Sequence, residues 1–254
     1  MKIFYFTATG NSLAVAKKLS GELISIPQVK GRQTFKDDVI GVVFPTYGCT
    51  VPPIVRKFLE SVKLEADYTF AIATYGIGKG KVLQKAEEIA EKQGWHFDYT
   101  NAIKMLDNCQ PQFDIAKERE KLPSLDIEKQ ISDVRSDIEQ RKKQTLKSGV
   151  VDALGTWLCV SVLSMDKEKY AKKFVKGYSV DNNCVKCGTC AKVCPMGNIR
   201  VGQTVRFSDN CALCQACIHA CPKKAIHLNH ERNTERWRNP DVSLAEIISA
   251  NEQK

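Results

Sequence analysis

No run of the chain is long and apolar enough to span a bilayer. The longest largely apolar stretch, residues 150–163, is short for that purpose and contains Asp152, so no transmembrane segment is expected. The N-terminus lacks the basic-then-apolar pattern of a secretory leader and begins as a strand, which points to a cytoplasmic protein. No low-complexity tract appears. Histidine is scarce, and His96, His219, His227 and His230 form no metal-binding or catalytic set by their spacing. The loop after the first strand carries neither G-K-[ST] nor G-x-G-x-x-G. It therefore has neither the nucleoside-triphosphate nor the dinucleotide fingerprint.

What is present is a globular composition, 43% hydrophobic and 26% charged over 254 residues, enough for one large or two small domains. The first part alternates strand and helix. Strands read at residues 3–7, 23–26, 39–44 (VIGVVF), 70–74 (FAIAT) and 97–104, and helices at 12–20, 53–62 and 82–93. Nearly continuous apolar strands separated by helices indicate a parallel sheet covered on both faces. Five such strands predict a doubly wound α/β domain, strand order 2-1-3-4-5, over residues 1–149. A last covering helix is expected over 126–147, with Ile127, Ile131, Val134 and Ile138 on one stripe and Gly149 as its terminator. Residues 150–178 read as a connecting helical segment whose Trp157, Leu158, Val162 and Leu163 call for burial. Residues 179–230 read as a small, compact α+β unit, and 231–254 as a loosely packed tail, polar and then weakly helical.

Eleven cysteines in a chain without a leader point to metal ligation rather than disulfides. The run CVKCGTCAKVCP places Cys184, Cys187, Cys190 and Cys194 before Pro195, and CALCQACIHACP places Cys211, Cys214, Cys217 and Cys221 before Pro222. This is C-x2-C-x2-C-x3-C-P twice. Three closely spaced cysteines wrap three iron corners of a cubane, and the fourth ligand comes from the other copy. Cys184, Cys187, Cys190 and Cys221 are thus assigned to one four-iron cluster, and Cys211, Cys214, Cys217 and Cys194 to a second. Zinc is the rival, but its motifs rarely use three evenly spaced cysteines before a fourth and a proline. Residues 179–230 resemble the eight-cysteine bacterial ferredoxins. Gly188 and Ala216 occupy small-residue positions where backbone can approach cluster sulfur, and Ile199, Ile218 and Ile226 would shield the clusters from water.

The loop TATGNS follows the first strand. Hydroxyls of Thr7, Thr9 and Ser12, the Asn11 side chain, and backbone amides from Ala8 through Gly10 would surround a terminal phosphate at the positive end of a helix. The missing lysine favours a monoester over a triphosphate. The loop resembles the FMN phosphate loop of flavodoxins. After the third strand, Pro45, Thr46, Tyr47 and Gly48, and after the fourth, Thr74, Tyr75 and Gly76, stand where flavodoxins sandwich the isoalloxazine ring. Residues 106–111 (LDNCQP) would form a further wall. The whole chain resembles the flavodoxin–ferredoxin fusion proteins of anaerobic bacteria and archaea. That resemblance implies an oxidoreductase-type electron carrier holding FMN and two [4Fe-4S] clusters.

The expected function is electron transfer between the clusters and FMN, and to or from a redox protein partner or a small-molecule acceptor or donor. The alternative is a flavin-dependent reductase of a small substrate fed by the clusters, with Tyr47, Tyr75 and Cys49 as candidate proton donors. No catalytic residue is assigned. The formal charge of +9 omits cofactors. Two oxidised clusters and a phosphate monoester, each about −2, bring it to roughly +3, so no nucleic-acid partner is expected. A homodimer is left open. Cys49 reads as a small buried filler near the ring site, Cys109 likewise, Cys159 as packing, and His219 as an exposed residue between cluster ligands.

Overall fold

The computed structural model describes residues 1–163, 165 and 168–252, the side chains of Glu168 and Lys169 excepted. Strand β1 (Lys2–Tyr5) leads into helix α1 (Asn11–Lys18), β2 (Glu22–Ser25), a short β3 (Gln33–Lys36) and β4 (Val39–Pro45). Helix α2 (Pro53–Ser61), β5 (Val62–Glu65), β6 (Tyr68–Tyr75), α3 (Val82–Lys92) and β7 (Tyr99–Lys104) continue the alternation. Among the described residues, β2-β1-β4-β6-β7 form a five-stranded sheet. Every pairing in it is parallel, so the expected 2-1-3-4-5 order is met.

Side chains alternate across this sheet. Ile3 and Tyr5 of β1 enter the core under α1, while Phe4 and the following Phe6 enter the core under α2 and α3. Both sets are buried, which is why the strands read as unbroken apolar runs. Gly41 is required by its neighbour: it pairs in register with Phe70, whose ring would lie 2.0 Å from any Cβ at position 41. The sequence did not signal β3 and β5, which pair with each other as a separate parallel ribbon. Phe35 of that ribbon packs edge-on against Phe4, ring centroids 4.6 Å apart, and so caps one end of the core.

Helix α4 (Ile115–Glu120) is capped by the Asp114 carboxylate, which accepts from the Ala116 and Lys117 amides. Helix α5 (Ile127–Glu139) buries Ile131, Val134 and Ile138, as its stripe requires, but stops well short of residue 147. The reason is the exposed edge of β7. Arg141 turns left-handed at φ +50, and Gln144 then bonds to the sheet edge, its carbonyl accepting from Thr100 N at 2.8 Å. Gly149 therefore ends nothing. It opens α6 (Val150–Thr156), its amide donating to Asp152 Oδ2 at 3.1 Å.

A π-helical turn, Trp157–Val162, continues α6, and α7 (Glu168–Val175) follows. The cysteine-rich part holds two antiparallel ribbons. One pairs β8 (Tyr178–Val180) with β11 (Ile226–Leu228), and the other pairs β9 (Ile199–Val201) with β10 (Val205–Phe207). Between them lie the short helices α8 (Thr189–Lys192) and α9 (Ala216–Ala220).

The tail corrects an expectation. Rather than packing loosely, residues 237–251 lie against the sheet domain and end in α10 (Leu244–Asn251). Val242, Ile247 and Ala250 join the core that holds α1. Ser243 and Glu246 form a reciprocal capping box, and Lys17 Nζ meets Glu246 Oε1 at 2.7 Å. Among the described residues no helix is long and apolar enough to cross a membrane.

Candidate functional site

Four of the predicted cluster ligands, Cys184, Cys187, Cys190 and Cys221, line one small hollow. Burial pushes the Cys190 thiol up to about 11, and Cys221, Cys187 and Cys184 add to the push. The other predicted set is a separate neighbourhood. Burial raises the Cys214 thiol, and Cys211 and Cys194 raise it further. Thiols that disturb one another stand near one another, and Cys217 also feels Cys190 of the other set.

Among the described residues, no three His, Cys, Asp or Glu side chains gather tightly enough to share a single ion; the thiols stand round a hollow instead. Backbone amides already point at sulfur: Asn198 N at Cys194 Sγ (3.2 Å), Leu213 N at Cys211 Sγ (3.3 Å) and Ala225 N at Cys221 Sγ (3.3 Å). Such donors stabilise anionic sulfur. The Tyr178 hydroxyl is buried beside this set with no nitrogen or oxygen partner among the described residues, a donor left over for sulfur. Ile199, Ile218 and Ile226 are buried with the thiols, as the water-shielding role demands. Gly188 caps α8 in the left-handed region. These residues fit cubane iron–sulfur groups.

The larger cavity, about 370 Å³, lies at the carboxyl ends of the sheet strands. It falls within the ~300–1,000 Å³ of ordinary ligand sites. Thr7, Ala8, Thr9, Asn11 and Ser12 line it, together with Pro45, Thr46, Tyr47, Gly48, Thr74, Tyr75 and Gly76. Gly10 alone of the predicted residues faces away. It holds φ +102, its amide donates to Thr7 Oγ1 at 3.1 Å, and a Cβ there would come within 2.9 Å of Asn239 Cβ. The hydroxyls are held in place: Ser12 Oγ bonds Thr74 Oγ1 at 2.8 Å, and Asn108 Nδ2 donates to Thr9 Oγ1 at 2.6 Å. The Asn11 amide bridges outward, donating to Leu106 O at 3.3 Å and accepting from Asn239 Nδ2 at 3.2 Å.

The first turn of α1 carries no acidic residue, so its amide end suits an anion. The loop over the sheet presents Thr46, whose hydroxyl is buried with no partner among the described residues. Asp107, lining the same cavity, accepts from Ile77 N at 3.1 Å, and burial pushes its carboxyl above the usual range. A spare buried hydroxyl and an anion-friendly helix end fit a phosphorylated, polar-edged planar ligand.

Residues 106–111 do wall the cavity, through Leu106, Asp107, Asn108, Cys109 and Pro111. They also carry the second cysteine set to its edge. Gln110 N donates to Gln215 Oε1 at 3.0 Å, and Gln215 Nε2 reaches Cys109 Sγ at 3.3 Å. Leu213, Cys214 and Gln215 thereby line the same cavity as the phosphate loop. Tyr47 stands between the two: burial raises its hydroxyl well above the usual range, and Cys214 adds to the shift.

His219 is not exposed. It is buried at the seam, its Nε2 donating to Asn108 O at 2.9 Å while Nδ1 accepts from Trp237 N at 3.1 Å. Burial lowers its pKa to about 4, which keeps the ring neutral. Sequence reasoning missed this because histidine beside ligands looks like filler. The local signal was its small apolar company, Ala216, Ile218 and Ala220.

Also missed was the connecting segment as a cavity wall. Leu158, Cys159, Leu163, Met165, Tyr170 and Phe174 line the cavity, and Phe174 packs on against the cysteine-rich core. The expected burial of its apolar residues does not occur. Trp157, Leu158, Val162 and Leu163 are 57%, 47%, 52% and 49% exposed, because the segment lies over the cavity instead of docking into a core. Cys159 is half-buried and faces Cys49, so it is not simple packing.

A family model described as "4Fe-4S dicluster domain" matches residues 183–226. The chain has the layout of a flavodoxin–ferredoxin fusion. The sheet domain comes first and the 4Fe-4S unit follows, and the strand order itself carries the flavodoxin-like likeness. Similar solved structures include a two-electron reduced flavodoxin from Megasphaera elsdenii, at 18% identity and TM-score 0.32, covering 40% of this chain and 83% of that one. Another is a Trp repressor binding protein from Bacillus subtilis, at 14% identity and TM-score 0.32, covering 56% and 97%. Overlap at that level decides nothing. No curated protein matches the chain. An iron–sulfur unit joined to this sheet supports electron transfer in general.

Proposed function

We propose that the fusion is an electron-transfer flavoprotein that passes electrons between two [4Fe-4S] clusters and FMN, and to or from a redox partner. The observation that carries the reading is the Cys214 turn. A predicted cluster ligand, with Leu213 and Gln215 beside it, lines the same cavity as the phosphate loop. When bound, FMN supplies a centre that takes two electrons and releases them singly, and each cluster supplies a one-electron centre.

The chain's residues do the rest. Thr7, Thr9 and Ser12, with the first amides of α1, hold the phosphate. Residues 45–48 and 74–76 flank the ring, and Thr46 and Asp107 meet its polar edge. Cys194, Cys211, Cys214 and Cys217 hold the cluster beside the cavity. Cys184, Cys187, Cys190 and Cys221 hold the other, where Cys187 is exposed and a partner has access. Buried Ala216 and Ile218 keep water from the inner set. Joining the centres in one chain removes a diffusional encounter.

The test is anaerobic purification followed by cofactor extraction and rapid mixing with a one-electron reductant. FMN and about eight irons per chain are expected. Flavin reduction should follow cluster bleaching at a rate independent of protein concentration, and Cys214→Ser should slow it more than Cys187→Ser. Extraction of riboflavin or FAD alone, or a flavin phase that scales with protein concentration, overturns the reading.

A further inference from the structure

Two cysteines outside the cluster sets face each other across the cavity wall. Cys49 lies in the loop between β4 and α2, and Cys159 lies in the π-helical turn of the connecting segment. Their sulfurs are 3.6 Å apart. Both residues line the cavity. Cys49 is one of nine non-glycine residues held left-handed among those described, at φ +60, a conformation that costs on the order of 1–3 kcal/mol.

The surroundings are built small around this thiol. A Cβ on Gly80 would come within 2.5 Å of Cys49 Cβ, and a Cβ on Gly155 within 3.6 Å of Cys49 Sγ. The rest of the attachment is sparse. Thr156 accepts from Lys81 N at 2.8 Å and reaches Cys49 O at only 3.4 Å, and Lys79 pairs with Asp152. Near its start the segment presents apolar side chains to solvent, with Val150, Val151 and Leu154 more than half exposed.

We propose that Cys49 and Cys159 are a redox-active dithiol that closes to a disulfide and so ties the connecting segment to the sheet domain as a latch on the cavity. A bond of about 2.05 Å requires the sulfurs to approach by about 1.5 Å. The wide π-turn that carries Cys159 is the element that yields. The oxidant is a low-molecular-weight disulfide. Cys159 Sγ, as thiolate, attacks one of its sulfurs and displaces the first small thiolate. Cys49 Sγ then attacks the Cys159 sulfur, the second small thiolate leaves, and the two displaced thiolates take up the protons of the protein thiols. Two protein thiols are oxidised, one disulfide is reduced to two thiols, and nothing is left over.

Burial, and then Cys159 beside it, push the Cys49 thiol up to about 12, so Cys49 keeps its proton and is the resolving sulfur. The latch does not depend on what the cavity holds, so it stands or falls apart from the flavin reading.

The experiment uses the full chain with its iron in place, handled anaerobically. It is equilibrated in glutathione buffers of rising oxidised fraction, acid-quenched, alkylated and mapped without reduction. The expected result is a linked peptide pair containing Cys49 and Cys159, two hydrogens lighter, formed before any iron is released. Amides of 150–162 should exchange several-fold more slowly in the linked form. Cys159→Ser should give no linked pair and no slowing. If iron is retained while both thiols stay free, or while they carry only separate glutathione adducts, the latch does not exist. Linkage of Cys49 to Cys109 instead overturns it equally. Should the variant fail to fold, the map of the parent decides alone.

Discussion

His219 Nε2 donates to the carbonyl of Asn108 across the seam between the cysteine-rich unit and the sheet domain, at 2.9 Å. The same ring takes a bond from Trp237 N, so three separate parts of the chain meet on one neutral imidazole. Replacing it with phenylalanine keeps the volume but leaves a buried carbonyl and a buried amide unpartnered, at about 1–3 kcal/mol each. His219→Phe is expected to lower hydrogen-exchange protection at residues 106–111 and 235–239 while iron content stays at the parent level. Unchanged protection at both places would mean the seam is held elsewhere.

Thr9→Ala is expected to weaken FMN binding about 10- to 100-fold, the equivalent of one lost hydrogen bond to a charged group, about 1.5–3 kcal/mol. Riboflavin binding should hardly change, because it has no phosphate to lose. Titration of apoprotein with each ligand checks this, and an equal loss for both would move the defect from the phosphate to the loop as a whole. Asn108, which donates to Thr9 Oγ1, is then the residue to examine.

Gly10→Ala tests the contact between the loop and the tail. Alanine resists φ +102, and its Cβ would press on Asn239 and Val242. We expect a loss of stability of about 1–3 kcal/mol and faster exchange in residues 239–251. A variant as stable as the parent would show that the tail gives way without cost.

Acid should release the last helix. Lys17, and then the Ser243 cap, hold the Glu246 carboxyl down to about 2. A carboxyl depressed in the folded state contributes stability that is complete above its ordinary value and is lost as pH falls from about 4.5 towards 2. The side chain is 40% exposed, so the contribution is small, below about 1 kcal/mol. Protection of residues 244–251 should fall across that window in the parent, and Glu246→Gln should show the reduced value already at neutral pH.

Iron removal should unfold one part only. Three predicted ligands, Cys190, Cys194 and Cys217, share the buried core of the cysteine-rich unit with only Ile199, Ile218, Ile226 and Leu228. Without metal, that little apolar surface cannot hold residues 179–230. Chelation is expected to abolish their exchange protection and leave β1, β4 and β6 protected. Full protection after chelation would contradict this.

The sheet and the iron–sulfur unit were legible because their signals are local. VIGVVF and FAIAT are buried on both faces and say so residue by residue. Ligand spacing is fixed by the size of the group it wraps. The parts that were not legible depend on distant partners. Asn239 and Val242 look like tail until Gly10 is seen to need them. The helix expected to reach residue 147 stops near Gln140 because β7 offers a free edge, which no local pattern around Arg141 announces. Leu158 and Leu163 are apolar for the sake of a cavity, and apolarity alone does not separate that from a core.

The backing of the phosphate loop carries a consequence for how the protein is made. The loop occupies residues 7–12. Its far side is completed by residues that emerge more than two hundred positions later: Asn239 N donates to Thr9 O at 2.8 Å, and Asn251 Nδ2 to Thr7 O at 2.9 Å. The sheet can form during synthesis, N-terminal parts first. The loop cannot reach its final shape until the cysteine-rich unit has been translated and residues 237–251 have come back to the start of the chain. Assembly order is thereby written into the fold: a chain stalled after residue 230 holds an unfinished loop.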